Sequence, residues 1–376
     1  MKRAKKSRGI CPQESNVKEI LIALVILACV TVIIGAITTY ATETSTTTDG
    51  NYEYTVLDDG TIEITEYKGT ETEVMIPATI DGKTVTSIGD EAFFLCTSLT
   101  KITIPRSVMN IGELVFFECT SLININVEEN NKNYISENGV LFNKEKKQII
   151  CYPAGKQDSR YIIPEGVTSI GNFAFAYCSS LTEITIPSSV MNIGEGAFGV
   201  CDSLTEITIS EGVTSIEYYA FAYCSCLTEI IIPESVQNIG EFAFEGSTNA
   251  KIYYKIHPEK TVEELEMNLI TNAEEIKVYT KDKEEISEIE ILGTGMQIEI
   301  KLGVETIEFT LVVTGDADGD GEVKVSDMTI VNKHRLNKKA LEGEYLFAGD
   351  VTGDGKIDIK DLVKINKYRL HKIDEL

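Results

Sequence analysis

Positive charge is scarce in this chain. Its 376 residues hold 34 Lys and Arg against 59 Asp and Glu, a formal charge of −25. So acidic a body repels phosphate backbones, which excludes nucleic-acid binding and leaves cations, basic partners or solubility as what the charge serves. Histidine is scarcer still: His257, His334 and His371 are all there are. None falls in the repetitive part described below, so a cysteine there has no imidazole beside it to act as a base. A singular pair of placed carboxylates, the requirement for glycoside hydrolysis, is missing too, because the acids of the repeats recur in ladders.

The start of the chain is the exception to its acidity, with six basic residues, Lys2, Arg3, Lys5, Lys6, Arg8 and Lys18, against two acidic ones, Glu14 and Glu19. The uncharged run Ile20 to Ile37 follows, then the small residue Ala41 with Thr39 two before it. Two readings fit: a cleaved secretory signal, or a retained membrane anchor. Either places the chain from about residue 42 onward outside the cytoplasm, secreted or at the cell surface. Residues 42–50 are expected to be a linker.

From residue 51 the chain repeats itself. The phrase Val-x-x-Ile recurs at Val85, Val108, Val167, Val190, Val213 and Val236, in steps of 23, 59, 23, 23 and 23. Each Ile is followed at +5 by Phe (Phe93, Phe116, Phe175, Phe198, Phe221, Phe244) and at +8 by Cys (Cys96, Cys119, Cys178, Cys201, Cys224), with Ser247 closing the series. A Leu and a strand of the form I-x-I come next. A fixed period of this length means a solenoid of stacked coils, each burying the apolar face of its neighbour. Segment LTEITIP (Leu181 to Pro187) alternates, so Leu181, Ile184 and Ile186 should face inward. The Ala-Phe pairs should form short helical turns, and the Cys column should be a ladder of small buried side chains rather than nucleophiles or disulfides. The long step is one coil plus an insertion at about 128–163, expected to be a hairpin around a charged turn.

The phrases VTSIGNFAFAYCSSLTEITIP (Val167 to Pro187) and YYAFAYCSCLTEIIIP (Tyr218 to Pro233), with the opening YTVLDDGTIEITEYKG (Tyr54 to Gly69), resemble BspA-like leucine-rich repeats of bacterial surface proteins. The resemblance covers about 51–254 and implies an extracellular binding or adhesive role for an unnamed protein or glycan ligand. Outward strand positions would meet such a ligand, and Glu183, Glu206 and Glu229 form one column of them, with Lys101 and Asn124 in the first two coils. That column is either a solvated face or an acidic stripe for a basic partner.

The period stops after residue 254. A helix is expected over Thr261 to Ile270, followed by strands, so that 255–314 reads as a small α+β spacer. Then come two acidic, glycine-punctuated loops, GDADGDGEVKVSD (Gly315 to Asp327) and GDVTGDGKIDIKD (Gly349 to Asp361). A twelve-residue loop offers a hard cation such as Ca²⁺ its oxygens at positions 1, 3, 5, 7, 9 and 12. In the first loop these positions hold Asp316, Asp318, Asp320, the backbone of Glu322, Lys324 (where water would serve) and Asp327. In the second they hold Asp350, Thr352, Asp354, the backbone of Lys356, Asp358 and Asp361. Two ions are expected.

Each loop is followed by one helix-like segment, MTIVNKHRLNKK (Met328 to Lys339) or LVKINKYRLHKI (Leu362 to Ile373), and the β-type run FTLVV (Phe309 to Val313) precedes the first, so only an exiting helix is evident. Loop plus exiting helix, twice, with Asp at position 12, is similar to a type I dockerin over about 315–376. The resemblance implies docking to a cohesin module of a scaffold protein in a cellulosome-like, polysaccharide-degrading assembly. It places recognition at loop positions 10 and 11, here Val325–Ser326 and Ile359–Lys360, and its near-symmetry implies two bound orientations. Lys333, Arg335, Lys367 and Arg369 line the exiting helices as a second candidate contact or as a solvated face.

The expectation is therefore a mainly β (α+β) chain: a leucine-rich-repeat solenoid, a small α+β spacer and a small α-helical, calcium-folded dockerin. It is expected to be non-catalytic and to bind proteins outside the cell. The rival readings are a membrane-anchored adhesin and an accessory polysaccharide hydrolase.

Overall fold

The Val-x-x-Ile phrases build one wall of a coil stack, because β-branched side chains at alternate positions suit a pleated surface buried on one side. In the computed structural model, which describes residues 44–47, 50–258, 273–286, 292–336 and 338–370, strands Ser169–Ile170, Asn192–Ile193, Ser215–Ile216 and Asn238–Ile239 pair in parallel with their isoleucines in register. The I-x-I segments build the second wall. Strands Arg160–Ile162, Glu183–Ile186, Glu206–Ile209, Glu229–Pro233 and Lys251–Ile256 are likewise parallel, and Ile184, Ile207, Ile230 and Ile252 share one rung. Leu181, Ile184 and Ile186 are buried, as the alternation predicts. The apolar run Ile20 to Ile37 and the helix expected at Thr261–Ile270 lie outside the described residues.

Between the walls each coil stacks its Phe on the next. Ring centroids are 5.0 Å apart for Phe175–Phe198, 5.2 Å for Phe198–Phe221 and 5.8 Å for Phe221–Phe244, with the planes of the second pair 1° from parallel. The segment carrying this Phe is not the expected short helical turn. It is a run of turns with two left-handed residues per coil, such as Phe173 (φ 54°) and Tyr177 (φ 62°). Those residues break the helical path and turn alternate N–H groups outward to the neighbouring coil, as in Phe175 N–H donating to Ala197 O at 2.7 Å and Tyr177 N–H to Gly199 O at 2.9 Å. Lateral hydrogen bonds thus replace the axial ladder of a helix, and the stack is tied together on this side too.

From Cys119 onward the Cys column is buried, with Cys96 half-exposed at its start, and it also donates. Cys119, Cys201 and Cys224 place Sγ 3.1, 3.1 and 3.2 Å from the carbonyl oxygens of Phe93, Phe175 and Phe198 in the preceding coil. Ser247 makes the same bond to Phe221 O at 2.8 Å, which is why a hydroxyl can end the series. Burial pushes the Cys224 thiol far above its ordinary range; for Cys201 the thiol of Cys178 and burial do the same. Such thiols stay protonated and serve as packing.

The N-terminal end is closed by three antiparallel strands, Thr44–Thr46, Tyr52–Val56 and Ile62–Tyr67, the last laid onto the first Val-x-x-Ile strand, Lys83–Ile88, so Thr44–Thr46 is part of the cap and not of the expected linker. The insertion folds as antiparallel strands Tyr134–Glu137, Val140–Asn143 and Gln148–Cys151, the last of which pairs with Ser169–Ile170 and restarts the wall. The strands of the Val108 and Val167 coils therefore do not pair, the two coils meet through Phe117 against Phe173 and Tyr177, and a cleft of about 550 Å³ opens beside them.

At the C-terminal end the sheet continues beyond the repeats. Strand Glu305–Val313 runs parallel to Lys251–Ile256, and Gln297–Leu302 and Glu275–Tyr279 add to it in antiparallel fashion. Ile298, Ile300, Phe309 and Leu311 from this segment belong to the same apolar core as Phe221 and Ile232. The segment expected as a spacer thus covers the open end of the solenoid. Helices α1 (Val325–Arg335), α2 (Glu344–Gly349) and α3 (Ile359–Arg369) complete the described chain around a small core of Ala317, Val331, Leu341, Val351, Leu362 and Ile365.

Candidate metal centre and docking faces

The first acidic loop follows directly from strand Glu305–Val313. Its glycine at position 6, Gly321, has φ 85°, and the second loop's Gly355 has φ 75°; only a residue without Cβ makes this turn freely. Asp316 is wholly buried. Its Oδ1 accepts from Gly319 N–H (2.7 Å) and Asp320 N–H (3.1 Å), which folds the loop around the carboxylate. Carboxylate oxygens of Asp316, Asp318 and Asp320 lie within 4.8 Å of one another. Asp327, at position 12, accepts from Ala317 N–H and Asp318 N–H on one oxygen and from Lys324 N–H on the other, so the residue that closes the loop also starts α1.

The second loop repeats this plan. Asp350 accepts from Gly353 and Gly355 N–H, and Asp361 accepts from Thr352 N–H and Asp358 N–H. Thr352 Oγ1 lies 2.9 Å from Asp361 Oδ1, so positions 1, 3 and 12 converge. Asp354 instead holds Lys360 Nζ at 3.2 Å, and Asp358 accepts from Lys360 N–H. In the first loop Lys324 Nζ likewise sits on Asp320 (3.0 Å) and Glu322 (2.5 Å), which hold its ammonium above the ordinary lysine range. The side chains of Glu322 and Lys356 are exposed, in keeping with a backbone role at position 7.

The donor set fits a hard cation. It is all oxygen, and Asp316, Asp327 and Asp361 are fully buried, with no ion pair to any of them or to Asp350 among the described residues. Burial raises the carboxyls of Asp316 and Asp350 and pushes Asp327 up to about 6. Buried acids without an ion-pair contact disfavour the metal-free loop, and a divalent cation removes that penalty. The sign for pH follows. A raised carboxyl pKa means that the metal-free fold favours the protonated acid, whereas a ligand must be ionised. Calcium affinity of the first loop should fall about tenfold between pH 7 and pH 5, as Asp327 takes up its proton. Calorimetric titration at the two pH values checks this; equal affinities contradict it.

The helix starts beside the loops are apolar and open. Val325 is 58% exposed and Ile359 57%, at equivalent positions, with Ser326 and Lys360 exposed next to them. Lys333, Arg335 and Lys367 are exposed on the last turns of α1 and α3, where positive charge favours the helix dipole, and Arg369 is half-buried. Arg335 and Arg369 each bond the Asn three residues before, Asn332 or Asn366.

The structure brings Glu183, Glu206 and Glu229 into one rung and adds what sequence period alone could not: Arg160 pairs before Glu183, and Lys251 after Glu229. Arg160 bonds Glu183 at 2.5 Å. Glu206, exposed between two like charges, is the member with a Glu on each side. Since like charges directly across a ladder destabilise it, Glu206→Lys should stabilise the solenoid by roughly 0.2–1 kcal/mol, measured by urea unfolding; a loss of stability would refute the pairing argument. The cleft at the insertion is a second face. Its walls include Glu113, Lys132, Asn133, Tyr134, Gln148 and Asn172.

Comparison with known proteins agrees with this architecture. The BspA type leucine-rich repeat region matches residues 71–153 and 154–277, in six copies, and the dockerin type I domain matches residues 314–369. No curated protein matches the chain. Among solved structures, a leucine-rich cell surface protein from Faecalibacterium prausnitzii is similar at 22% identity over 58% of this chain and 89% of that one, with a TM-score of 0.37. The pneumococcal vaccine antigen PcpA is similar at 20% identity over 57% and 82%, with a TM-score of 0.41. The leucine-rich repeat protein of T. pallidum is similar at 26% identity over 55% and 91%, with a TM-score of 0.35. Both matched domains are protein-interaction modules typical of extracellular or cell-surface proteins. Among the described residues no helix is long and apolar enough to cross a membrane. With the repeat matches spanning more than half of its length, the chain belongs to the BspA type leucine-rich repeat family, and it carries a type I dockerin domain at residues 314–369.

Proposed function

We propose that this protein is an exported, non-catalytic component of a cellulosome-like, polysaccharide-degrading assembly. Its dockerin holds two calcium ions and docks onto a cohesin module of a scaffold protein, while the solenoid binds a protein or glycan ligand. The observation that carries the docking reading is the duplicated apolar patch: Val325 and Ile359 are equally exposed at position 10 of two loops that share one internal hydrogen-bond plan. Single exposed apolar side chains are common on surfaces, so it is their recurrence at one loop position that favours burial against a partner. Calcium would be held by Asp316, Asp318, Asp320, Asp327 and the Glu322 carbonyl in one loop. Asp350, Thr352, Asp354, Asp358, Asp361 and the Lys356 carbonyl would hold it in the other.

Cys201 and Cys224, buried and with thiols pushed well above their ordinary range, are packing groups, which favours the non-catalytic reading. For the solenoid, the cleft at the insertion falls in the volume range of small-ligand sites, and it is where the regular stack is interrupted. The leader over residues 1–41 serves either as signal or as anchor.

The docking reading is tested with the full chain and a panel of purified cohesin modules. Binding should require calcium. Val325→Asp or Ile359→Asp alone should lower affinity only about twofold, because one of two equivalent orientations survives, and the double variant should lose binding altogether. A double variant that still binds would remove this surface from consideration.

A further inference from the structure

The first calcium loop rests on a short segment of the cap, Gly293-Thr294-Gly295, far from it in sequence. Contact is backbone to backbone. A Cβ added to Gly293 would stand 2.8 Å from the Gly319 carbonyl oxygen and 3.2 Å from the Gly321 nitrogen. One added to Gly319 would stand 2.7 Å from Thr294 O. Glycine on both sides is what lets the two segments touch. Between them Thr294, wholly buried, donates its backbone N–H to Asp316 Oδ2 at 2.9 Å. Its hydroxyl donates to Val313 O (3.3 Å) and accepts from Val313 N–H (3.0 Å), at the end of the strand that leads into the loop. The position-1 ligand is therefore aimed by a residue outside its own loop.

Other contacts fasten the same two bodies. Tyr345 of α2 reaches Thr294 O at 3.5 Å, and Lys281 of the cap lies 5.0 Å above the Tyr345 ring. Phe347 meets Tyr253 of the last repeat strand edge-on at 5.1 Å, and Ala348 packs with Tyr253 and Val312. Gly315 N–H donates to Ala348 O at 2.8 Å.

We infer that Gly293-Thr294-Gly295 is the outer shell of the first calcium site, so that metal occupancy of that loop and order of the solenoid's C-terminal cap are one linked equilibrium. Loss of a residue that orients a ligand from behind typically lowers metal affinity by about 10–100-fold. Linkage then works in both directions: whatever the cap contributes to calcium affinity, calcium returns to the cap as stability. The second loop does not touch this segment and serves as an internal control. The inference rests on the reading that the loops bind calcium.

Two measurements on the full chain test it. In calorimetric titration with calcium alone, Gly293→Ala should weaken the first site about tenfold and leave the second within about twofold of wild type. In hydrogen exchange on the wild-type protein, calcium should slow the amides of Gln297–Leu302 and Glu305–Val313 and leave Lys101–Ile104 unchanged. Unchanged affinity at both sites in Gly293→Ala overturns the inference. So does calcium binding with no change in exchange at the cap strands, a result that decides the matter even where Gly293→Ala does not fold. A wild-type chain that takes up no calcium removes the calcium reading itself, and this inference with it.

Discussion

Chelation of calcium should melt α1, α2 and α3 while the repeats from Lys83 to Pro233 keep their fold. The dockerin buries few apolar side chains of its own, led by Val331, Leu362 and Ile365. A core of that size rarely holds a domain of under about 60 residues without a metal or a cross-link. Set against it are the buried carboxylates of Asp316, Asp327 and Asp361, which favour unfolding until a cation neutralises them. The solenoid, by contrast, closes a continuous core from Phe117 to Val313 that contains no metal ligand. With calcium at about 100 times Kd, a loop gains about 2.7 kcal/mol relative to its metal-free state. Scanning calorimetry should show two transitions, of which the lower moves with calcium and loses its helical circular dichroism first in EDTA. A single transition at the same temperature with and without EDTA would contradict this.

Phe221→Ala should cost about 3–5 kcal/mol, the range for a buried aromatic replaced by alanine. Phe221 is fully buried, faces Phe198 at 5.2 Å and Phe244 at 5.8 Å, and its carbonyl accepts the Ser247 hydroxyl. A cavity there removes ring contacts from two coils at once. A solenoid transmits stability only between neighbours, so the loss should appear as premature opening of the coils on the C-terminal side, seen as a shallower urea transition, not only a lower midpoint. Phe94, half-buried, stacks on Phe117 at 5.9 Å outside the regular column and is the matched control: Phe94→Ala should cost clearly less. Equal costs at the two positions would mean that the column is not what holds the coils.

Much of this was legible in the sequence because it was written many times. A side chain that recurs every coil at one offset, as Phe198 and Cys201 do, must have the same surroundings each time, so periodicity alone located the ladder. The two loops were legible for the same reason, since ligand spacing is a local property of twelve residues. Features that depend on what lies beside a segment were not. Residues 305–313 alternate in the same way whichever sheet they join, so nothing local said that Tyr254 and Leu311 would pair. The turn segments looked helical because Ala and Phe tolerate a helix; the left-handed residues at Phe173 and Tyr177 are imposed by bonds to the next coil. Arg160 ends the Glu rung from inside an insertion that the period skips. Thr294 carries no motif at all, and its 2.9 Å bond to Asp316 is visible only in the fold.

The packing of α2 on Tyr253 and Val312 has a geometric corollary. A plug mounted on a swivel can be turned over without disturbing its cargo; a plug seated on the shaft cannot. If a receptor accepts Val325 and Ile359 interchangeably, reversing the plug swings the entire rod of coils to the opposite bearing, so that one socket could display the same rod pointing in either of two directions.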